Sequence, residues 1–187
     1  MASRLWLVRH GETAWSLSGQ HTSTTDLLLT AEGERKAGQV GKLLGRKKFS
    51  AVYSSPMTRA RETCRIAGYG DGAIITDDLR EWNYGSYEGL TTDEIHKTAP
   101  GWSIWTAAPP GGETIGQVAE RARRVIVSVP DGEVAIFGHG HMLRVLSACW
   151  LELAPEMGRC FALSTGSISV LGYERETRVI QSWNQTE

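Results

Sequence analysis

The chain has 187 residues, of which 41% are hydrophobic and 22% are charged, and its formal net charge is −1. This length suits one domain with a buried core, and the composition excludes a disordered or fibrous protein. The near-zero net charge and the lack of a long basic block give no indication of a nucleic-acid surface. We therefore expect a single domain over residues 1–187 whose partners are small molecules.

The beginning of the chain does not resemble a signal peptide, because only four apolar residues separate Arg4 from Arg9. No run of about 18 apolar residues is present, so no membrane-spanning segment is expected. The three cysteines, at positions 64, 149 and 160, lack metal-ligand spacing, which favours reduced packing residues over disulfides. We expect a cytoplasmic protein with no membrane partner; the sequence leaves the oligomeric state open, with a homodimer as one possibility.

Hydrophobic periodicity alternates between strand and helix along the chain. The predicted strands are residues 5–8, 51–53, 73–76 and 134–137, followed by an antiparallel pair at 168–173 and 179–183. The predicted helices are residues 30–47, 57–67, a short helix opened by the capping box at 91–94, 114–129 and 142–151. This order indicates the α/β class, as a single-domain three-layer α/β/α sandwich with a mostly parallel sheet. Residues 84–113 are expected to pass over one end of that sheet.

Two short loops that carry charge or an imidazole follow predicted strands. RHG at residues 9–11 follows the first strand, and GHG at residues 138–140 follows the strand at 134–137. Ligands of such folds bind beyond the carboxyl ends of parallel strands, so one crevice can hold both His10 and His139. Arg9, Arg59 at the start of the second predicted helix, and Glu81 complete the candidate catalytic set.

These side chains suit the transfer of a phosphoryl group. The guanidiniums of Arg9 and Arg59 can neutralise a phosphate dianion without a metal. Their positive charge also keeps the imidazole of His10 neutral, which leaves a lone pair free to attack phosphorus. A bound dianion would favour the protonated form of Glu81, which can then protonate the leaving alkoxide and later activate water as a base. His139 is expected to donate a hydrogen bond to the oxygens of the transition state.

Four blocks of sequence resemble the motifs of the histidine phosphatase superfamily, also called the phosphoglycerate-mutase-like family. They are LVRHGET at residues 7–13, SSPMTRARET at 54–63, LREWNYGSYEG at 79–89 and GHGHMLR at 138–144. The resemblance implies a phosphoglycerate-mutase-like fold and phosphorylation of His10. It also implies a phosphate pocket formed by Arg9, Arg59 and His139, with Glu81 as the proton donor.

Both mutases and phosphatases of this family use a phosphohistidine. Residues 91–110 are compact, whereas the family's cofactor-dependent mutases usually carry extra material there, so hydrolysis is favoured. SLSGQHTSTTDLLLT at residues 16–30 further resembles the sedoheptulose-bisphosphatase-like branch, which acts on sugar bisphosphates. Ser16 and Ser23 depart from the mutase pattern, in which asparagine and glycine are typical. We therefore predict a sugar-phosphate phosphatase; a phosphoglycerate-type phosphomutase and a catalytically weak phospholigand-binding module are the alternatives.

Substrate contacts beyond the phosphate are less defined by the sequence. Thr22, Ser16 and His141 are candidate substrate-binding residues. The second phosphate of a bisphosphate requires a further cation, for which the candidates are Arg80, His21, His141 and Arg144. The tryptophans at positions 82, 102 and 105 can form the wall of the entrance, although packing in the core or on the surface is the default expectation.

A metal site is the other interpretation of the alternating His139 and His141. Two guanidiniums in the same crevice would repel a divalent cation, and no cluster of carboxylates offsets them. We therefore expect no metal and no cofactor.

Overall fold

A six-stranded sheet forms the centre of the computed structural model, which describes residues 3–186. Its strands are β1 (Arg4–Arg9), β2 (Ala51–Ser54), β3 (Ile74–Ile75), β4 (Glu133–Gly138), β5 (Ile168–Glu174) and β6 (Thr177–Gln185). They are arranged in the order β3-β2-β4-β1-β5-β6, with parallel pairing from β3 to β1 and antiparallel pairing of β5 with β1 and β6. The α/β class and the mostly parallel sheet are therefore confirmed.

The helices connect these strands, and five of the six lie close to their predicted positions. They are α1 (Ala14–Ser18), α2 (Ala31–Leu44), α3 (Thr58–Ile66), α4 (Thr92–Thr98), α5 (Ile115–Ser128) and α6 (Gly140–Trp150). Short 3-10 turns occupy Asp77–Leu79, Gly85–Tyr87 and Pro155–Cys160. The predicted capping boxes that begin α4 and α5 are present. Helix α1 was not predicted, although Thr13 and Ser16 form a capping box at its start.

Two apolar clusters cover opposite faces of the sheet. Leu5 and Leu7 of β1 pack with residues of α5 and α6, whereas Val8 packs with residues of α2 and α3. Alternate side chains of a strand point to opposite faces, so the central strand β1 contributes to both clusters. The result is the predicted three-layer arrangement. The buried stripe of α2 runs through Gly33, Ala37, Val40 and Leu44, whereas Leu43 is 44% exposed.

The loop after β1 is fixed by a close approach between two backbone segments. A Cβ atom on Gly11 would lie 2.3 Å from the carbonyl oxygen of Gly33, and one on Gly33 would lie 2.1 Å from that of Glu12. Only glycine permits this approach. The start of α2 is thereby held against the residues that follow His10.

All three cysteines are free, as expected, but only Cys64 and Cys149 are buried; Cys160 is exposed and does not pack in the core. None of the helices within residues 3–186 combines the length and the apolarity that crossing a bilayer requires.

Candidate active site

A cavity of about 240 Å³ opens where β1 and β4 end. This is the edge of the sheet at which the sequence predicted a ligand site. Of the eight predicted catalytic and substrate-binding residues, six contribute to its lining: Arg9, His10, Ser16, Thr22, Glu81 and His141. Arg59 and His139 have no exposed surface and lie behind the lining.

His10 has a defined tautomer. Its Nδ1 atom lies 2.7 Å from the carbonyl oxygen of Gly11. Because a carbonyl can only accept, Nδ1 carries the hydrogen and the lone pair resides on Nε2. Burial, followed by the positive charges of Arg59 and Arg9, lowers the pKa of His10 well below its ordinary value. The imidazole is therefore neutral and nucleophilic at Nε2.

The loop that carries His10 is also tied to α3. The backbone N–H of Gly11 donates to Oγ1 of Thr63 at 2.9 Å, and the Thr63 hydroxyl donates to the carbonyl of Arg59 at 2.7 Å. The loop that carries His10 and the residue Arg59 are thus connected through one buried threonine.

Arg59 is oriented by the loop before α2. Its Nη1 atom donates to the carbonyl of Thr25 at 3.1 Å, and Nη2 donates to those of Thr22 and Ser23 at 3.3 and 3.2 Å. The same loop caps α3, because Asp26 accepts hydrogen bonds from the backbone N–H and the hydroxyl of Thr58 at 2.8 and 2.7 Å. Helix α3 and this loop therefore place the Arg59 guanidinium together.

Arg9 occupies the other side of His10. Its Nη1 atom donates to the carbonyl of Leu163. A Cβ atom on Gly140 would lie 3.3 Å from Cζ of Arg9, so the glycine leaves room for the guanidinium. Burial lowers the pKa of Arg9, while the nearby charge of Glu81 raises it. An arginine nevertheless remains protonated at any working pH.

His139 lies next to His10, with 5.2 Å between the ring centroids. Its Nε2 atom is 2.7 Å from Oγ of Ser55, which also accepts from the backbone N–H of Met57 at 3.3 Å. We assign the Ser55 hydroxyl as donor to Nε2, which leaves the hydrogen of His139 on Nδ1. Burial, then the charges of Arg59 and His10, lowers the pKa of His139 well below its ordinary value.

Several donors of this site have no partner in the protein. Within residues 3–186, the buried side-chain polar atoms without a hydrogen bond are Arg9 Nε, Arg59 Nε, His139 Nδ1 and Tyr69 Oη. An unsatisfied buried donor costs about 1–3 kcal/mol, so such atoms are rare without a reason. Three of these four belong to the residues that surround His10. An anion with several oxygens, such as a phosphoryl group, is the ligand that three such donors fit.

Glu81 is held at the N-terminus of α6. Its Oε1 atom accepts from the backbone N–H groups of Trp82 and Met142 at 2.9 and 2.8 Å, and Oε2 accepts from that of His141 at 3.0 Å. A helix N-terminus offers unsatisfied N–H groups and favours a carboxylate there. The sequence predicted the residue but not its partners in α6, because His141 and Met142 lie about 60 positions further along the chain.

The three predicted substrate-binding residues all line the cavity. The hydroxyls of two of them, Ser16 and Thr22, are hydrogen-bonded to backbone groups of the protein. Ser16 accepts from the N–H of Thr13 at 2.9 Å and donates to its carbonyl at 3.0 Å, which completes the cap of α1. The hydroxyl of Thr22 donates to the carbonyl of Gln20 at 3.1 Å. His141 lies 2.6 Å from the hydroxyl of Tyr84, measured at Nδ1. Ser23, the other departure from the mutase pattern, bonds the carboxylate of Glu88 through its hydroxyl and its N–H.

Three of the four candidates for contact with a second phosphate line the cavity, and one does not. Arg144 and His21 line the cavity together with His141. Arg80 does not, because it is bonded to Asp77 at 2.7 Å on the surface, where its side chain is 49% exposed. Arg144 donates to the carbonyl of Gly158 at 3.0 Å.

The predicted tryptophans do not line the cavity. Trp82 is fully buried in the core, Trp105 stacks under the guanidinium of Arg144 at 4.6 Å, and Trp102 packs against His21 at 5.7 Å. The tryptophan of the lining is Trp15 in α1, a helix that sequence reasoning missed. Across the described part of the chain, no cluster of three His, Cys, Asp or Glu side chains is arranged to hold a metal ion.

Comparison with known proteins agrees with this geometry. The family model "Histidine phosphatase superfamily (branch 1)" matches residues 5–186. An acid phosphatase of Mycobacterium tuberculosis is 39% identical over 94% of this chain and 89% of its own. The sedoheptulose 1,7-bisphosphatase of Saccharomyces cerevisiae is 34% identical over 83% of this chain and 70% of its own. The solved structure of an open reading frame product from Mycobacterium tuberculosis superposes with a TM-score of 0.93 at 38% identity, covering 98% of both chains.

Proposed function

Because this chain belongs to the histidine phosphatase superfamily, and is an enzyme that hydrolyses phosphate esters, we propose that it acts on a sugar phosphate through a phosphohistidine at His10. The geometry of the site supports the following roles for the individual residues. Arg9, Arg59 and His139 bind the phosphoryl group, and Glu81 transfers the proton. The protein's own guanidiniums supply the positive charge of the reaction, so no metal or cofactor has a part in the proposal.

In the first step, Nε2 of His10 attacks phosphorus in line with the leaving oxygen. The N–P bond forms as the P–O bond to the alcohol breaks, and protonated Glu81 gives its proton to the departing oxygen. The hydrogen on Nδ1 remains bonded to the carbonyl of Gly11, which stabilises the positive charge that develops on the ring.

In the second step, water attacks the phosphohistidine from the position that the alcohol has left. Glu81, now a carboxylate, accepts a proton from that water as the new P–O bond forms. The N–P bond breaks, its electron pair returns to Nε2, and inorganic phosphate leaves. His10 is neutral again, and Glu81 is protonated for the next turnover.

The observation that carries this proposal is the set of three unpartnered, buried donors at Arg9, Arg59 and His139 around a histidine with a free Nε2. Hydrogen bonds to the oxygens of a phosphoryl group would satisfy all three donors. They would also hold the charge that moves onto those oxygens in the transition state.

The substrate class is proposed from the rest of the cavity. The relative from Saccharomyces cerevisiae is a bisphosphatase by name, and Arg144 and His21 add basic groups to the lining besides Arg9. A sugar bisphosphate would place its second phosphate near Arg144. Equal values of kcat/KM for the mono- and bisphosphate of one sugar would remove this preference.

The test is phosphate release from a panel of esters, with EDTA present. The panel contains p-nitrophenyl phosphate, 3-phosphoglycerate, fructose 1,6-bisphosphate and sedoheptulose 1,7-bisphosphate. We expect release that His10→Ala abolishes while its circular dichroism stays native. Isomerisation of a phosphoglycerate that exceeds its hydrolysis would indicate the mutase instead. Binding of the esters without any release that depends on His10 would indicate a phospholigand-binding module.

A further inference from the structure

The backbone around Glu81 has no regular secondary structure of its own. Residues 80–84 form neither helix nor strand, and they connect the 3-10 turn Asp77–Leu79 to the next turn, Gly85–Tyr87. The helix N–H groups that bind the Glu81 carboxylate orient its oxygens but do not hold its Cα. The position of the acid therefore depends on contacts that other elements make with this segment.

On the side before Glu81, the contacts come from Arg121 of α5. Its Nη1 atom donates to the carbonyls of Asp78 and Arg80, both at 2.9 Å. One guanidinium nitrogen thus holds two carbonyls, the second of which belongs to the peptide that enters Glu81.

On the side after Glu81, the contacts come from Glu113. Its carboxylate accepts from the backbone N–H of Asn83 at 2.9 Å, and its own N–H donates to the carbonyl of Asn83 at 3.0 Å. Its carbonyl accepts from the indole N–H of Trp82 at 2.8 Å. The two residues that follow the acid are therefore both held by Glu113.

The two holding residues are joined in one ion pair. Nε and Nη2 of Arg121 donate to the two carboxylate oxygens of Glu113 at 2.9 and 2.8 Å, in the bidentate geometry that is specific to arginine. Their side chains are only 13% and 23% exposed, so water screens this pair less than it screens an exposed one. Neither residue lines the cavity.

We propose that the Arg121–Glu113 pair is a positioning device for Glu81, which fixes the distance over which the acid delivers its proton to the leaving oxygen. This inference rests on the proposed role of Glu81 as the proton donor. Removal of one partner leaves a partly buried charge without its counterion and releases one side of the acid's segment. A displacement of the catalytic group by about 1 Å can lower a rate by up to about 100-fold.

The dependence of the rate on the leaving group provides the test. A p-nitrophenolate leaves with little need for a proton, whereas the alkoxide of a sugar phosphate requires one. The value of kcat/KM covers the steps up to phosphorylation of His10. The ratio of kcat/KM for the sugar phosphate to kcat/KM for p-nitrophenyl phosphate is independent of the folded fraction. We expect Arg121→Met and Glu113→Gln to lower kcat/KM for the sugar phosphate by about 10-fold to 100-fold, and that for p-nitrophenyl phosphate by less than about 3-fold.

A matched control lies one turn further along α5. Arg124 also binds the segment before the acid, but through the side chain of Asp78, at 2.6 Å, and its own side chain is 57% exposed. Arg124→Met should leave the ratio of the two kcat/KM values unchanged. Arg121→Lys, which keeps the charge without the bidentate fork, should give an intermediate ratio.

Glu81→Gln distinguishes the proposed role of Glu81 from the proposed role of the Arg121–Glu113 pair. If this variant does not change the ratio, the proposed role of Glu81 is wrong. If it lowers the ratio, but folded Arg121→Met and Glu113→Gln keep the wild-type ratio, the positioning inference is overturned. Two variants are used because Glu113→Gln preserves the shape of the side chain and folds even if the loss of Arg121 is not tolerated.

Discussion

The imidazole of His10 donates its Nδ1 hydrogen to the carbonyl of the very next residue, Gly11, at 2.7 Å. A contact between neighbours in the chain thereby selects which nitrogen faces the substrate. The selected atom, Nε2, lies on the side of the ring away from its own backbone. The remaining chemistry of the site depends on this selection.

The phosphoryl group should consequently be carried on Nε2 of His10. Rapid mixing with substrate, followed by a quench in base to preserve the phosphohistidine, will yield a peptide for mass spectrometry and phosphorus NMR. We expect a single phosphorylated histidine, modified at Nε2, and none in His10→Asn. Modification at Nδ1, or on His139, would contradict the tautomer that the structure assigns.

Ser55→Ala should lower kcat/KM without unfolding the protein. The Ser55 hydroxyl fixes the tautomer of His139, so its loss allows the hydrogen to move to Nε2 and leaves Nδ1 unable to donate. We expect a loss of about 10-fold in kcat/KM. Ser54→Ala is the control, because Ser54 is equally buried and donates only to the Ser55 carbonyl at 3.0 Å. Equal losses in both variants would indicate a general packing effect.

The free energy of unfolding should fall when the pH is lowered from 7.5 to 5.5. His10, His139 and His141 have pKa values well below 6.5 in the folded state, whereas an unfolded chain binds a proton at each near pH 6.5. Stability from these residues is therefore complete above pH 6.5 and is lost as the pH falls through the interval below it. Each should contribute about 1.4 kcal/mol between pH 7.5 and 5.5, or about 4 kcal/mol together.

Urea unfolding at the two pH values, in buffers without phosphate, measures this difference. His139→Asn should show about two thirds of it, because one of the three imidazoles with a lowered pKa is removed. A wild-type protein that is equally stable at pH 5.5 and 7.5 would show that these histidines become protonated without unfolding.

Chelation of divalent metals should leave the rate of phosphate release unchanged. In the proposed mechanism, the guanidiniums of Arg9 and Arg59 neutralise the phosphoryl group without a divalent ion. The measurement compares kcat/KM after dialysis against EDTA with its value after addition of Mg²⁺, Mn²⁺ or Zn²⁺. Inactivation by EDTA that one of these metals reverses would refute this prediction.

Two glycines of α2 should respond in opposite directions to alanine. A Cβ atom on Gly33 would lie 2.1 Å from the carbonyl of Glu12, so Gly33→Ala must displace the loop that carries His10. We expect a loss of about 2 kcal/mol or more in stability, together with reduced activity. Nothing lies within 4 Å of a Cβ atom on Gly38, so Gly38→Ala should stabilise the helix by about 0.5–1 kcal/mol. Urea unfolding of both variants measures the contrast; equal effects would show that the backbone contact is not tight.

Local patterns in the sequence predict much of the structure. Hydrophobic periodicity and capping boxes predict the strands and the five longer helices, and the motif blocks predict the candidate residues His10, Glu81 and Arg59. Helix α1 was not predicted, because its five residues show no apolar stripe. The capping box of Thr13 and Ser16 is a local signal that indicates the start of this helix. The exclusion of Arg80 was also readable, since Asp77 lies three residues before it and forms a local pair.

Other features depend on contacts between distant segments and leave no local pattern. The carboxylate of Glu81 is bound by N–H groups of α6, and Arg59 is aimed by carbonyls that belong to the loop before α2. Backbone carbonyls and N–H groups are the same in every residue type, so a sequence does not reveal which of them meet. The position of Trp15 in the lining also leaves no local pattern, because it depends on where helix α1 packs in the fold.

Arg59 donates hydrogen bonds to the carbonyls of residues 22, 23 and 25, so the conformation of this loop sets the position of its guanidinium. A change of conformation in that loop would rotate the guanidinium that is proposed to bind phosphate, and would lower the turnover of every substrate alike. The side chains of Arg144 and His141 also line the cavity, and neither is hydrogen-bonded to Arg9 or Arg59, although the backbone N–H of His141 binds Glu81. Divergence toward new substrates should therefore concentrate on these two side chains, while selection on turnover holds the backbone of residues 22–25 constant.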